Sequence, residues 1–164
     1  MTETLQTITP KTPKEQICDT LLDLLIMSYV FGTNDVSKSL NEEIKPDPDK
    51  MYDSVHKVIA GETWEERINK ASTKEDIERI FFTESHRVFS EGQWDSADGR
   101  ATHKTWVTMD DDKVRDTHWY IDGLKVKVDE YFYTLDGDRA LKPYGFDFPE
   151  NNINCRCTLK YTKE

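Results

Sequence analysis

Two cysteines separated by one residue lie in the run NNINCRC, which spans residues 151–157 of the 164-residue sequence. If this run is an extended strand, Cys155 and Cys157 point to the same face as Leu159 and Tyr161, because side chains alternate along a strand. A disulfide between the two cysteines is disfavoured, since alternate residues of a strand lie about 6.5–7 Å apart at Cα, at the limit of disulfide reach. The sequence therefore leaves two interpretations, buried thiols or a metal site.

A zinc site at Cys155 and Cys157 would need further ligands. His118, in the run RDTHWYIDG, is the candidate, together with a fourth donor that the sequence does not identify. Zinc accepts mixed sulfur and nitrogen ligands, and Asp116 and Asp122 could orient the imidazole as hydrogen-bond partners. The alternative for His118 is a histidine hydrogen-bonded into the fold near a turn. The third cysteine, Cys18, falls in a helical run and is assigned to the core.

A carboxylate also falls where an apolar residue is expected. In the predicted helix that contains KEDIERIFFTESHRVF, Glu84 lies on the same face as Ile77, Phe81 and Val88. A buried carboxylate is costly unless it is paired. Glu84 should therefore have a cationic partner, for which Arg115 and Arg156 are the candidates, and the pair would fasten the helix to a sheet. A catalytic or metal-binding carboxylate is the alternative.

Helices are predicted for the first part of the chain. Residues 1–13 form a loose arm rich in threonine and proline, with Thr12 as the N-cap of a helix that runs to Phe31 and ends at the run GTND. A short helix is expected over residues 51–60. Two more follow, one that starts at Thr63 with a capping box and one that runs from residue 72 or 73 to residue 90 or 91, before Gly92.

The helix that ends at Phe31 is apolar around nearly its whole circumference. Such a helix is either buried on several sides within its own chain or docks onto another protein. In the first interpretation it is a central core helix. In the second, residues such as Leu21, Leu25 and Tyr29 bind a partner.

Strands are predicted for the second part of the chain, over residues 104–109, 124–128 and 155–161. Long irregular connections separate them, the longest over residues 134–152. Helices followed by strands indicate an α+β fold, with N-terminal helices and a small, mostly antiparallel sheet.

Composition limits the function. Lysine and arginine number 22 against 32 aspartates and glutamates, so the net charge is −10 and direct binding of nucleic acid is disfavoured. The longest apolar stretch, residues 21–31, is too short for a membrane span and contains Asp23. Three cysteines without a visible signal peptide indicate a reducing compartment. No phosphate-binding glycine loop or nucleophile elbow is present.

The ordered set of motifs resembles the Mu F-like family of phage head morphogenesis, or minor head, proteins. That family has a helix ending in Arg-x-x-x-Thr-Glu, a strand with Trp, a run with Asp, Arg, His and Gly, a Phe, and a closing Asn-Cys-Arg-Cys. The matching positions here are Arg79, Thr83, Glu84, Trp106, Asp112, Arg115, His118, Asp122, Gly123, Phe132, Asn154, Cys155, Arg156 and Cys157.

This resemblance covers residues 63–164 and implies a phage or prophage protein without established catalysis. Such proteins associate with the portal and other head proteins, and they act in head assembly and in DNA packaging or exit. The implied location is the virion head, after assembly in the host cytoplasm. Relatives are often fused to toxin domains. Residues 1–62 are expected to form a separate arm and helical region for docking a partner.

The resemblance combines with the residue-level analysis into one expectation for the site. Glu84, Arg115, Asp122, Asn154 and Arg156 form a polar core, and His118, Cys155 and Cys157 join it, with zinc as the possible metal and no catalytic residue. Two alternatives remain open. One is a metal-dependent hydrolase or nuclease delivered with the phage genome. The other is a host-directed binding protein that uses its acidic surface to mimic nucleic acid.

Overall fold

Helices occupy the first part of the chain and short strands the second, which confirms the predicted α+β class. The structure, a computed structural model, describes residues 10–164, so most of the arm predicted for residues 1–13 lies outside the described residues. The elements are α1 Pro13–Leu40, α2 Pro48–Val55, α3 Trp64–Lys70, α4 Lys74–Ala97, β1 His103–Val107, α5 Asp116–Trp119, β2 Lys125–Lys127, β3 Phe132–Tyr133, β4 Arg139–Ala140, α6 Pro149–Asn152 and β5 Thr158–Thr162. Within residues 10–164, no helix is both long enough and apolar enough to cross a membrane.

The helix starts follow the local sequence. Thr12 caps α1 as predicted, and it does so through a capping box with Glu15; Thr63 caps α3 through the predicted capping box with Glu66. In a capping box the two side chains satisfy backbone N–H groups that the first helical turn leaves free. These boundaries were predictable because the interacting residues are three positions apart.

Three predicted helix ends are wrong. Helix α2 spans Pro48–Val55 and not residues 51–60. Helix α1 continues through Gly32 to Leu40, and α4 continues through Gly92 to Ala97. Neither glycine has a positive φ angle, so neither acts as a turn residue. Both are glycine because the two helices pack against each other at these positions.

The backbones of α1 and α4 are in direct contact at the two glycines. A Cβ atom on Gly32 would lie 2.1 Å from the carbonyl oxygen of Phe89, and a Cβ atom on Gly92 would lie 2.3 Å from that of Tyr29. The helices run side by side in the same direction, since Leu24 of α1 lines a groove with the start of α4 and Gly32 contacts the middle of it. Any side chain at either glycine would force the helices apart.

The buried apolar residues form two clusters. The helical core lies between α1, α2, α3 and α4, and the sheet core lies between the sheet, the irregular segments and the ends of α1 and α4. The helical core consists of Leu21, Leu25, Tyr29, Val55, Trp64, Ile68, Ile80 and Val88. The sheet core includes Val36, Ala97, Trp106, Ile121, Phe132, Phe146, Cys155, Cys157, Leu159 and Tyr161. The helical core therefore contains residues from both sides of the domain boundary expected at residue 62.

The main sheet is antiparallel, in the order β2-β1-β5, and β3 pairs with β4 in a separate hairpin. In the register of β1 and β5, Trp106 faces Leu159 and Lys104 faces Tyr161, and all four are buried. Strand β5 begins at Thr158, not at Cys155 as predicted. The predicted alternation still continues back through Cys157 and Cys155, which are both buried.

The side chain of Gln93 joins α4 to β5. Its amide nitrogen donates to the carbonyl oxygen of Leu159 over 2.9 Å, and its amide oxygen accepts the backbone N–H of Leu159 over 3.4 Å. The same nitrogen donates to a carboxylate oxygen of Asp35 on α1 over 2.7 Å. One side chain therefore fixes the last strand against the helix pair.

A lysine lies inside the sheet core. The Lys104 side chain is fully buried, and its ammonium donates to the carbonyl oxygen of Leu141 over 2.7 Å. The nitrogen lies 5.1 Å from the ring centre of Trp94 and 5.2 Å from that of Phe132. Burial lowers the pKa of Lys104 to about 8, because the interior solvates the charged form less well than water does.

The glycine contact gives the first prediction. In an unpacked helix, Gly→Ala increases stability by up to about 1 kcal/mol. Here Gly32→Ala and Gly92→Ala should each lower the free energy of unfolding by about 1–3 kcal/mol, because the new methyl group meets a backbone carbonyl. Urea unfolding measures the change, and Asn34→Ala on the exposed face of α1 is the control. Stabilisation by either glycine variant would contradict the close contact.

The buried lysine gives a second prediction. An unfolded chain, with an ordinary lysine pKa near 10.4, binds more protons between pH 8 and 10 than the folded chain does. Stability should therefore rise with pH across this window. Between pH 7.5 and 9.5, the free energy of unfolding should increase by about 2 kcal/mol relative to Lys104→Met. Urea unfolding of both proteins at each pH tests this, and parallel pH profiles would contradict it.

Candidate functional site

The structure brings His118, Cys155 and Cys157 together. The Nδ1 atom of His118 lies 3.7 Å from Sγ of Cys155 and 3.4 Å from Sγ of Cys157. All three candidate ligand atoms lie within 4.8 Å of one another, and the three side chains are almost completely buried. Among residues 10–164, these three form the one group of His, Cys, Asp or Glu residues close enough to share a metal ion.

Two short segments position these side chains. His118 belongs to the single turn of α5, and the cysteines belong to the extended segment that enters β5. Asn154, just before Cys155, has a φ of 57°, in the left-handed region that asparagine tolerates better than most residues. Its conformation turns the chain from α6 into the cysteine segment, which explains an asparagine at this motif position.

Arg156, between the two cysteines, points away from them. Its guanidinium makes a two-pronged ion pair with Asp111, with distances of 2.7 and 2.5 Å, and the hydrogen bond from Arg156 lowers the pKa of Asp111. Asp111 therefore has a specific partner. Because Arg156 is held on one side of the segment, both sulfur atoms are directed to the other side.

Aromatic rings enclose the imidazole. The His118 ring stacks on Phe146 with ring centres 5.2 Å apart and lies edge to face with Trp106 at 5.5 Å. Its second nitrogen, Nε2, is buried and has no hydrogen-bond partner among the residues that the structure describes. The ring is therefore fixed by packing, with only Nδ1 facing polar groups.

The two thiols do not ionise equally. A hydrogen bond from Cys157 lowers the pKa of Cys155, against the effect of burial. The same hydrogen bond raises the pKa of Cys157, and burial adds to that rise. Thiolate is the form that binds metals, so the pair is prepared to offer Cys155 as a first anionic ligand.

The site has little access to solvent. A cavity of about 10 Å³ reaches it, bordered by Met109, Arg115, His118, Asn154 and Cys155 among others. That volume holds about one water molecule. Within residues 10–164 no carboxylate joins the cluster.

Glu84 is buried as predicted, but its predicted partners are wrong. It bonds to Arg67 over 2.6 Å and to Arg87 over 2.9 and 2.8 Å. Arg156 is occupied by Asp111, and Arg115 donates to the carbonyl oxygen of Ile153 over 2.5 Å. Both partners of Glu84 come from helices, so the carboxylate fastens α3 to α4 and not α4 to the sheet.

Two of the other predicted polar residues, Asp122 and Arg115, make hydrogen bonds to backbone groups near α5. A carboxylate oxygen of Asp122 accepts the N–H of Thr108 over 2.8 Å, which closes the loop after β1 onto the turn after α5. Arg115 ties the start of α5 to the end of α6 through Ile153. Asp122 does not hydrogen-bond His118, so the proposed orienting role falls to Phe146 and Trp106.

Sequence reasoning missed Asp138, which organises the irregular segment over residues 134–152. Its buried carboxylate accepts the backbone N–H groups of Arg139, Asp147 and Phe148 and the side-chain amide of Asn151. Although burial opposes it, these hydrogen bonds lower the pKa of Asp138. The only sequence signal was an aspartate in a turn-rich run, which is too common to identify such a role.

Sequence reasoning also missed Tyr144, whose hydroxyl donates to the carbonyl oxygen of Cys155. This contact holds the backbone of the cysteine segment from the opposite side to Arg156. Tyr144 itself has a positive φ of 66°, which no sequence pattern indicates for a tyrosine.

The structure favours the core interpretation for the three apolar residues of α1. Leu21, Leu25 and Tyr29 are at most 1% exposed and belong to the helical core. They are therefore not free to dock a partner. Three exposed apolar residues of α1 share another face, namely Leu24, Met27 and Phe31 at 36%, 51% and 53% exposure, while Ile26 at 37% lies apart from them.

Comparison with known proteins gives one family match. The family described as Phage Mu protein F like protein matches residues 48–160. That range contains Glu84 and the complete cluster of His118, Cys155 and Cys157. No solved structure matches the chain significantly.

Two curated proteins are similar over part of their length. An NAD(+)–arginine ADP-ribosyltransferase, EFV, of Enterococcus faecalis is 35% identical over 100 residues, which are 58% of this chain and 20% of that protein. The minor head protein GP7 of Bacillus phage SPP1 is 32% identical over 83 residues, which are 48% of this chain and 27% of that protein. The aligned parts therefore span only about a fifth to a quarter of these relatives.

The buried carboxylate gives a third prediction. Glu84→Gln keeps the shape of the side chain but leaves Arg87 buried without a counter-charge, so it should lower the free energy of unfolding by about 3–5 kcal/mol. Urea unfolding measures the loss. Glu78→Gln, which breaks an exposed pair with Lys74 on the same helix, is the matched control and should change stability by less than about 0.5 kcal/mol. Similar losses in both variants would show that burial does not govern the effect.

Proposed function

This chain belongs to the phage Mu protein F like family, a family of phage minor head proteins, and we propose that it joins a phage or prophage head by binding the portal. The observation that carries the proposal is the family match over residues 48–160, together with the similarity to the minor head protein of phage SPP1. In this function the protein acts through binding, in head assembly and in DNA packaging or exit.

The two relatives carry different names, a transferase and a head protein, yet both share a segment with this chain. Each alignment covers only part of the relative, 20% of the transferase and 27% of the head protein. We therefore assign the transferase activity to the four-fifths of the first relative that lie outside its alignment with this chain.

A docking surface is available on the helix pair. It consists of Leu24, Met27 and Phe31 of α1 and of Ile77, Phe81 and Phe82 of α4. On α1 the three residues share one face by helical spacing, and Leu24 also borders a groove of about 420 Å³ lined by the three α4 residues. Exposed apolar area of this kind marks protein interfaces. The groove fits an apolar side chain or helix of the portal.

The chain carries a net charge of −10, which is compatible with assembly in the host cytoplasm and later incorporation into the virion head. Like charge keeps copies of the protein apart before assembly. It also disfavours contact with the packaged DNA, so the chain would influence DNA packaging or exit through the portal rather than by binding nucleic acid.

Co-expression with the portal protein of the same genome tests the proposal. The wild-type chain should co-purify with the portal and enter procapsids formed with the coat and scaffolding proteins. The double variant Met27→Asp/Phe31→Asp places two charges on the docking surface and should reduce both co-purification and incorporation at least tenfold, since each buried unpaired charge weakens an interface strongly.

Leu135→Asp is the control, because Leu135 is also exposed and apolar, at 64%, but lies in the segment between β3 and β4. Circular dichroism and urea unfolding should be the same for the variants and the wild type. Procapsids that form normally in the presence of the folded chain and contain none of it would contradict the proposal.

A further inference from the structure

We propose that His118, Cys155 and Cys157 bind one zinc ion, which joins α5 to the segment entering β5. This metal site does not rest on the proposed function, since binding to a portal requires no metal. Its role is architectural, and it can be present or absent whatever partner the chain binds.

The distances fit a zinc site. Zinc lies about 2.3 Å from a cysteine sulfur and about 2.0–2.1 Å from a histidine nitrogen, so tetrahedral angles place the two ligand atoms about 3.6 Å apart. The structure has 3.7 Å from Nδ1 of His118 to Sγ of Cys155 and 3.4 Å to Sγ of Cys157. An ion can therefore be accommodated without moving the backbone.

The sulfur atoms of both cysteines lie beside the same imidazole nitrogen. A neutral imidazole nitrogen carries either one proton or one lone pair, so Nδ1 of His118 can make one good hydrogen bond and not two. Sγ of Cys155 and Sγ of Cys157 nevertheless lie 3.7 and 3.4 Å from it. Three buried ligand atoms within 4.8 Å of one another can be bridged by one metal ion.

The ligand types select the metal. Two thiolates and one imidazole are soft or borderline ligands, which favour zinc over magnesium or calcium. Binding releases the two thiol protons, so two negative charges on sulfur neutralise the ion inside an apolar shell. The lowered pKa of Cys155 assists the first of these ionisations but is not needed for the geometry.

A water molecule supplies the fourth ligand. Within residues 10–164 no fourth His, Cys, Asp or Glu joins the group, and the adjacent cavity of about 10 Å³ has room for about one water. Asn154 and the backbone of the cysteine segment border that cavity.

The segment that the ion would fasten needs support. Strands β2, β3 and β4 are two or three residues long, and α5 and α6 are single turns. Elements of this length contribute little stability on their own. A zinc ion between α5 and the start of β5 would hold the far ends of this region, while Asp138 organises its middle.

Metal analysis of the full chain, purified with a reductant and without a chelator or histidine tag, tests the proposal. The wild type should contain about one zinc per chain, and Cys18→Ser should contain the same amount, since Cys18 lies in α1, away from the site. Cys155→Ser and Cys157→Ser should each lose at least nine-tenths of the metal. A zinc chelator should lower the melting temperature of the wild type and of Cys18→Ser by about 10 °C.

A second measurement applies if the Cys155 and Cys157 variants fail to fold. Wild-type protein stripped of metal and titrated with Co²⁺ should develop thiolate-to-cobalt charge-transfer bands that saturate at one ion per chain and disappear on addition of zinc. Three results would overturn the proposal: no bound metal and no cobalt bands in reduced wild-type protein, equal metal loss in Cys18→Ser, or a disulfide between Cys155 and Cys157 in protein purified with reductant. Metal content is measured without the portal, so either proposal can be refuted while the other stands.

Discussion

Two glycines allow the backbones of α1 and α4 to touch, and both halves of the molecule are built around that contact. On one side of the crossing, Leu21, Leu25 and Tyr29 enclose the helical core with α3. On the other side, Gln93 donates hydrogen bonds to Asp35 of α1 and to Leu159 of β5. The position of β5 is therefore fixed by the helix pair. The cysteine segment lies directly before β5, so its location also depends on how closely the helices approach.

Each core contains its own polar centre. In the helical core, the carboxylate of Glu84 is neutralised by two arginines, and removal of one charge would leave the others uncompensated. In the sheet core, two thiols and an imidazole lie together, and the proposed zinc ion would bind the thiols as thiolates and the imidazole as a neutral ligand. The family motif includes residues of both centres.

The sequence predicted the features that depend on residues close together in the chain. The capping boxes at Thr12 and Thr63, the burial of Glu84 by helical periodicity and the alternation around Cys155 and Cys157 follow from residues a few positions apart. Gly32 and Gly92 were misread because glycine ends a helix by its own conformation far more often than it accommodates another helix. The partners of Glu84 and the role of Asp138 depend on contacts that no local pattern contains. Lys104 could have been found, since its alternation with Trp106 on a predicted strand places it on the inward face.

The amide of Gln93 has a consequence for self-association. An edge strand offers unpaired N–H and C=O groups that invite pairing with another chain, and natural proteins block such edges. At Leu159, on the side of β5 away from β1, Gln93 supplies both the donor and the acceptor that an additional strand would bring. At the opposite edge, β2 carries Lys125 and Lys127, whose like charges would face those of a second copy. Both edges of the main sheet are therefore protected against pairing with a second copy of the chain.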